Sequence, residues 1–173
     1  MRPSLRFIGP VTALFAAFTL FMAPRAALAS GEVVSFNEGY AGSIVIKTSQ
    51  RRLYYVLGGG KAIRYPVGVG RAGMQWAGNA YITSTRLKPA WSPPEMMIRE
   101  NPRIPRVIPG GAPNNPMGVA ALTLSAPEYA IHGTNAPGSV GGFVSHGCIR
   151  MYNADIMDLY NRVHIGTPVT VTR

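Results

Sequence analysis

Between Ser43 and Thr172, apolar residues recur at helical spacing in one place. Ile156, Leu159, Tyr160 and Val163 fall at i, i+3, i+4 and i+7, which is one stripe of a helix. Asn153 is placed to cap its first turn, Asp155 to complement the positive end of its dipole, and Gly166 to end it. Elsewhere the apolar segments are short and separated by turn residues. Residues 43–48 alternate with Ile44 and Ile46 on one face, 53–57 are rich in tyrosine and aliphatic side chains, and 62–69 resume after Gly58-Gly59-Gly60. That glycine triplet reads as a hairpin turn. As a phosphate cradle it would need a helix and a Lys-Ser/Thr ending, and Lys61-Ala62-Ile63 supplies neither. Further strands are expected at 79–85, 119–125, 128–132 and 168–172. Many short strands and one late helix predict a mainly β, sandwich-like domain with a helix in its C-terminal region.

Residues 88–117 break this pattern. Pro89, Pro93, Pro94, Pro102, Pro105, Pro109, Pro113 and Pro116 stand there among Trp91, Met96, Met97 and Ile98, so regular structure is not expected. The segment reads as a long loop whose apolar residues argue against disorder. It is either a flap over a substrate or a structural loop packed on the sheet.

At the N-terminus, Arg2 and Arg6 precede an apolar run over 11–22, followed by Pro24 and Ala27-Leu28-Ala29. This order reads as a signal peptide over residues 1–29, and the run is short for a membrane span. The expectation is export to the periplasm or cell envelope with cleavage near Ala29; an uncleaved anchor is the alternative. Residues 30–173 then form one domain, large enough for a hydrophobic core. The formal net charge of +10 stays positive once Arg2, Arg6 and Arg25 are removed. Such a balance favours anionic partners or simply keeps a surface solvated. Arg51-Arg52 and the dispersed Arg99, Arg103 and Arg106 lack the aromatic interleaving of a base-stacking surface, so nucleic acid is not an expected partner.

The chain contains one cysteine. An unpaired cysteine in an exported protein is a buried apolar residue, an intermolecular linker or a reactive thiol. Cys148 lies in Ser145-His146-Gly147-Cys148-Ile149-Arg150-Met151. A thiol near its ordinary pKa is mostly protonated at neutral pH, so a nucleophilic cysteine needs a base or a positive neighbour. His146 is two residues away across a glycine, and His132 stands at the end of an expected strand. Gly147 permits a tight backbone that could aim the Gly147 and Cys148 amides at an oxyanion, and Arg150 offers a fork suited to a carboxylate. On spacing alone, His132, His146 and Cys148 also suit three ligands of a zinc ion in a zinc-dependent hydrolase.

His132-Gly133-Thr134, followed after a glycine-rich loop by Ser145-His146-Gly147-Cys148-Ile149-Arg150-Met151, resembles the signature of the L,D-transpeptidase catalytic domain, the YkuD family. The resemblance continues in Lys47-Thr48-Ser49-Gln50-Arg51-Arg52-Leu53, Tyr65-Pro66-Val67-Gly68-Val69-Gly70, Pro89-Ala90-Trp91 and Asn114-Asn115-Pro116-Met117-Gly118. It departs where the family usually has Pro-Thr-Gly and this chain has Trp76-Ala77-Gly78, a change expected to reshape the start of a strand without touching the chemistry.

The resemblance implies the L,D-transpeptidase catalytic fold over residues 30–173, Cys148 as nucleophile, His132 as its base and the Gly133 carbonyl as the group that orients the imidazole. Ser145, His146, Gly147 and Arg150 would shape the oxyanion and substrate site, with no metal and no cofactor. The implied partners are peptidoglycan stem peptides, with envelope proteins as alternative acyl acceptors, for a monomeric enzyme. The acceptor decides between cross-linking, protein attachment and, with water, carboxypeptidase activity.

Overall fold

The computed structural model describes residues 31–126 and 129–173. The leader expected over 1–29 lies outside them, as does Glu128, where a strand was expected to begin. The described strands are β1 (Glu32–Ser35), β2 (Ile44–Lys47), β3 (Arg52–Gly58), β4 (Lys61–Pro66), β5 (Val69–Gly70), β6 (Gly78–Leu87), β7 (Ala120–Leu124), β8 (Ala130–His132), β9 (Phe143–Ser145), β10 (Ile149–Arg150) and β11 (Pro168–Thr172), with helices α1 (Glu95–Glu100) and α2 (Asn153–Tyr160).

Nine strands hydrogen-bond in the order β1-β4-β3-β2-β11-β6-β7-β8-β10, and β5 pairs with β9 in a small parallel sheet. β6 joins the two layers. Its residues Gly78, Asn79, Ala80 and Tyr81 pair with β11, whereas Ile82 to Leu87 pair with β7, with a register shift between Ile82 and Ser84. An irregularity of this kind bends a strand and increases its twist, which lets the second half of the sheet fold over the first. The main core fills the space between the layers: Ile44, Ile46, Leu53 and Tyr65 meet Leu122, Ile131 and Ile149, with Ile156 and Leu159 of α2. Val45, Tyr54, Val56 and Ala62 form a second cluster on the outer face of the first layer, where Phe36 stacks on Tyr54 with ring centroids 4.2 Å apart. Both faces of β2 are therefore covered, which explains its unbroken Ile-Val-Ile run.

Gly58, Gly59 and Gly60 have φ of 85°, 58° and 71°, and they turn β3 into β4 as the sequence requires. Three local expectations fail. The proline-rich segment contains α1, with Pro94 at φ −57° as its N-cap and Pro102 just beyond its end. Proline suits the start of a helix, where its missing N–H removes no bond, so these prolines bracket a helix rather than forbid one. The segment is closed by paired bonds between Trp91 and Ile108, N to O at 2.9 and 2.8 Å. The buried Asn115 donates to the carbonyls of Pro89 and Pro109 at 2.9 and 3.0 Å.

The second correction concerns Asn153. α2 begins without a side-chain cap; instead Asn153 Oδ1 accepts from the Thr134 amide at 3.0 Å and the Val119 amide at 3.4 Å. It joins three segments that are distant in sequence. A Cβ on Gly118 or Gly133 would collide with this oxygen, so both positions need glycine for close approach. α2 ends at its C-cap Asn161; Gly166, at φ +94°, belongs to the turn before β11.

Candidate active site

β8 ends in His132 and runs parallel to β10, with Ile131 opposite Ile149 and His132 opposite Arg150. Side chains alternate between the faces of a strand. Ile131 and Ile149 enter the core, which leaves His132, Cys148 and Arg150 on the other face, where they line one cavity of about 380 Å³. The backbone fixes this arrangement from both sides. The Met151 amide donates to the His132 carbonyl at 2.8 Å, and Arg150 and Gly68 exchange two bonds of 2.8 Å.

His132 is only 4% exposed, with Nδ1 2.5 Å from the Gly133 carbonyl oxygen. A carbonyl accepts only, so Nδ1 carries the hydrogen and Nε2 keeps its lone pair. Burial lowers the His132 pKa to about 4; the Gly133 and Pro116 carbonyls oppose this, and the charge of Arg150 adds to it. For Cys148, burial raises the thiol pKa, opposed by a backbone bond from Ala130 and by Arg150. Both displacements favour the uncharged pair at neutral pH. The cavity is thus lined by a thiol and by an imidazole whose Nε2 keeps its lone pair. Arg150 is half-buried, and its buried Nε has no hydrogen-bond partner among the described residues.

The loop before Cys148 is held from within. Ser145 is 2% exposed; its hydroxyl donates to the Cys148 carbonyl at 2.6 Å and accepts from the Gly147 amide at 3.1 Å. This corrects the expectation that the Gly147 amide faces an oxyanion, because that N–H is turned to Ser145. Gly147 has φ +122°, open to glycine and strained for other residues.

His146, the histidine nearest Cys148 in sequence, lines the cavity but is engaged elsewhere. Its Nε2 donates to Glu100 Oε2 at 3.0 Å, while Glu100 Oε1 accepts from Arg71 at 2.7 Å. Hydrogen bonds from His146 and Arg71 hold the Glu100 carboxyl below the usual carboxylate range. Glu100 lies in α1, so the proline-rich segment reaches the loop before Cys148 through a hydrogen bond as well as through Trp91, Met96 and Met97 at the cavity wall. No motif marks Glu100 in the sequence. His164 is exposed. Among the described residues, no three His, Cys, Asp or Glu side chains converge as a metal site would require.

Trp76 was expected only to reshape the start of a strand. Its Nε1 donates to the Gly147 carbonyl at 3.1 Å, so the departure from the family's Pro-Thr-Gly reaches the residue next to Cys148.

The fold and cavity define a two-layered β domain in which a buried histidine at the end of β8 and a cysteine just before the parallel β10 line one cavity. The L,D-transpeptidase catalytic domain family matches residues 41–171, and the chain belongs to that family. It is 41% identical to the protein described as probable L,D-transpeptidase YbiS of Escherichia coli over 133 residues, covering 73% of this chain and 43% of that one. The chain thus spans less than half the length of this curated relative. Among solved structures it resembles L,D-transpeptidase 3 of Mycobacterium tuberculosis with a TM-score of 0.64 at 19% identity, over 83% of this chain and 70% of that one. A Brucella melitensis structure described as a probable carnitine operon oxidoreductase is 39% identical, with a TM-score of 0.55 over 79% of this chain and 89% of that one. Its description names a different activity; membership here rests on the match over residues 41–171.

Proposed function

We propose that the chain is a peptidoglycan L,D-transpeptidase in which Cys148 is the nucleophile and His132 Nε2 the base. The observation that carries this reading is the β8–β10 register, which sets His132 opposite Arg150 with Cys148 just before β10, all three lining one cavity. The Cys148 proton passes to His132 as Sγ adds to the carbonyl carbon of the third residue of a stem tetrapeptide, and the carbonyl electron pair moves onto oxygen. Collapse breaks the C–N bond to the terminal D-alanine, whose amine takes the proton back from His132. A thioester remains on Cys148. An acceptor amine attacks it, passes a proton to His132 and releases the sulfur. An amine of a neighbouring stem gives a cross-link, and one of an envelope protein gives attachment to the wall. Water as acceptor makes the enzyme an L,D-carboxypeptidase.

Gly133 orients the base, Ser145 holds the nucleophile loop, and His146 and Gly147 shape the wall around it. Arg150, a charged fork at the cavity whose buried Nε has no partner among the described residues, suits a carboxylate of the donor. Export follows from the leader expected over 1–29. Among the described residues no helix is long and apolar enough to cross a membrane.

The test is mass spectrometry of the protein incubated with a disaccharide-tetrapeptide. The reading requires loss of D-alanine, an acyl adduct on Cys148 and a cross-linked dimer. Identical products from wild type and Cys148→Ala would refute it.

A further inference from the structure

We infer that Trp76 is a positioning residue for acyl transfer, orienting the peptide unit that joins Gly147 to the nucleophile Cys148. The inference rests on the reading of Cys148 as nucleophile and assigns a role to a position where this chain departs from its family's usual residues. Two contacts converge on one peptide unit. The Trp76 indole N–H donates to the Gly147 carbonyl at 3.1 Å. The same indole stacks on Tyr129, with ring centroids 5.0 Å apart and planes within 6°. Tyr129 in turn covers Gly147, whose Cα has no room for a Cβ against that ring.

The geometry has a chemical consequence. In a trans peptide the C=O and the following N–H lie in one plane and point in opposite directions. Fixing the Gly147 carbonyl on Trp76 therefore fixes the direction of the Cys148 N–H. Ser145 accepts the preceding amide and binds the following carbonyl, so rotation of this unit is opposed at both ends and at its own oxygen. Of the two amides beside the nucleophile, the Gly147 N–H is committed to Ser145 and the Cys148 N–H is the one Trp76 aims. A donor held in place before charge develops on the carbonyl oxygen is worth far more than one that must reorient.

The experiment separates orientation from folding. In one variant Trp76 is replaced by 3-benzothienylalanine, which keeps the bicyclic shape and the stack but lacks the N–H; the second is Trp76→Phe. Two reactions of Cys148 are timed. With p-nitrophenyl acetate the sulfur adds to a carbonyl, an oxyanion forms, and p-nitrophenolate leaves as the C–O bond breaks. With iodoacetamide the sulfur displaces iodide from a saturated carbon and no oxyanion forms. The expected result in both variants is acylation slowed on the order of 10- to 100-fold, with an alkylation rate and pH profile matching wild type.

Unchanged acylation in the benzothienyl variant would overturn the inference. So would an equal fall in both reactions, since that marks a damaged loop rather than a misdirected donor. Because neither reagent is a stem peptide, a wild-type protein that releases no D-alanine from the tetrapeptide refutes the proposed function and leaves this comparison valid.

Discussion

Arg150 and His132 are register partners across the β8–β10 ladder, so the guanidinium belongs to the same cavity as the imidazole and Cys148. Its charge lowers the pKa of both groups, although burial is the larger influence on each. Replacing Arg150 by Met is expected to move both titrations to higher pH. Imidazole NMR reads His132, and the pH profile of iodoacetamide alkylation reads Cys148. Loss of the bidentate fork should also raise KM for a tetrapeptide donor by about tenfold or more, and Arg150→Lys should restore the titrations better than the KM. Unmoved titrations in Arg150→Met would separate the charge from the pair.

The buried His132 makes stability depend on acid. In the folded protein it gains a proton near pH 4, and in the unfolded chain near 6.5. Between those values the unfolded chain binds more protons, so the contribution is complete above about pH 6.5 and is lost as pH falls toward 4. Its size is on the order of 3 kcal/mol. Urea unfolding of wild type and His132→Gln at steps of pH tests this: wild type should lose stability more steeply across that window. Parallel curves would show that His132 is not the group responsible.

The Asn153 oxygen that meets Thr134 and Val119 should be more valuable than a surface cap. Asn153→Ala leaves two amides without this acceptor and is expected to cost about 1–3 kcal/mol in denaturant unfolding. Asn153→Asp, which keeps an acceptor in the same place, should recover most of that loss. A loss below about 0.5 kcal/mol in the alanine variant would mean the amides find other partners.

The longer strands were legible because each is a local pattern, whereas β1, β9 and β10 were not expected. Ile44 and Ile46 alternate along β2, and the triplet at Gly58 can do little except turn. The motifs at His132 and Cys148 stand out in the sequence, but the cavity they share depends on the β8–β10 register, and no neighbouring residue encodes that pairing. Pro94 and Pro102 were misread because proline was weighed as a helix breaker, although before the first turn and after the last it delimits a helix. Asn153 has the local signature of a cap, yet its side chain serves two amides from other parts of the chain. Glu100 and Trp76 act through partners 46 and 71 residues away, separations at which sequence spacing carries no signal.

Glu100 is 45% exposed, so its ion pair with Arg71 and its hydrogen bond from His146 should contribute little to global stability. Their effect is expected to be local. Glu100→Gln should leave the thermal midpoint within about 2 °C of wild type while speeding proteolytic cleavage within residues 88–117 severalfold. Added salt should move wild type toward the variant. Equal cleavage rates at low salt would show that packing of Trp91 and Met97 alone holds the segment down.

β11, the last strand in chain order, lies in the interior of the nine-stranded sheet, parallel to β2 and antiparallel to β6. The first strands to be synthesised therefore cannot complete their layer from their own neighbours. Until residues 168–172 arrive, β2 and β6 each present an open edge, and the gap is closed by a contact such as Thr48 to Thr172, at 2.9 Å between backbone N and O. Pairings so distant in sequence are slow to form. A ribosome stalled shortly before residue 168 would hold a chain with a ready-made slot for a single strand, and a synthetic peptide of β11 is the natural probe for it.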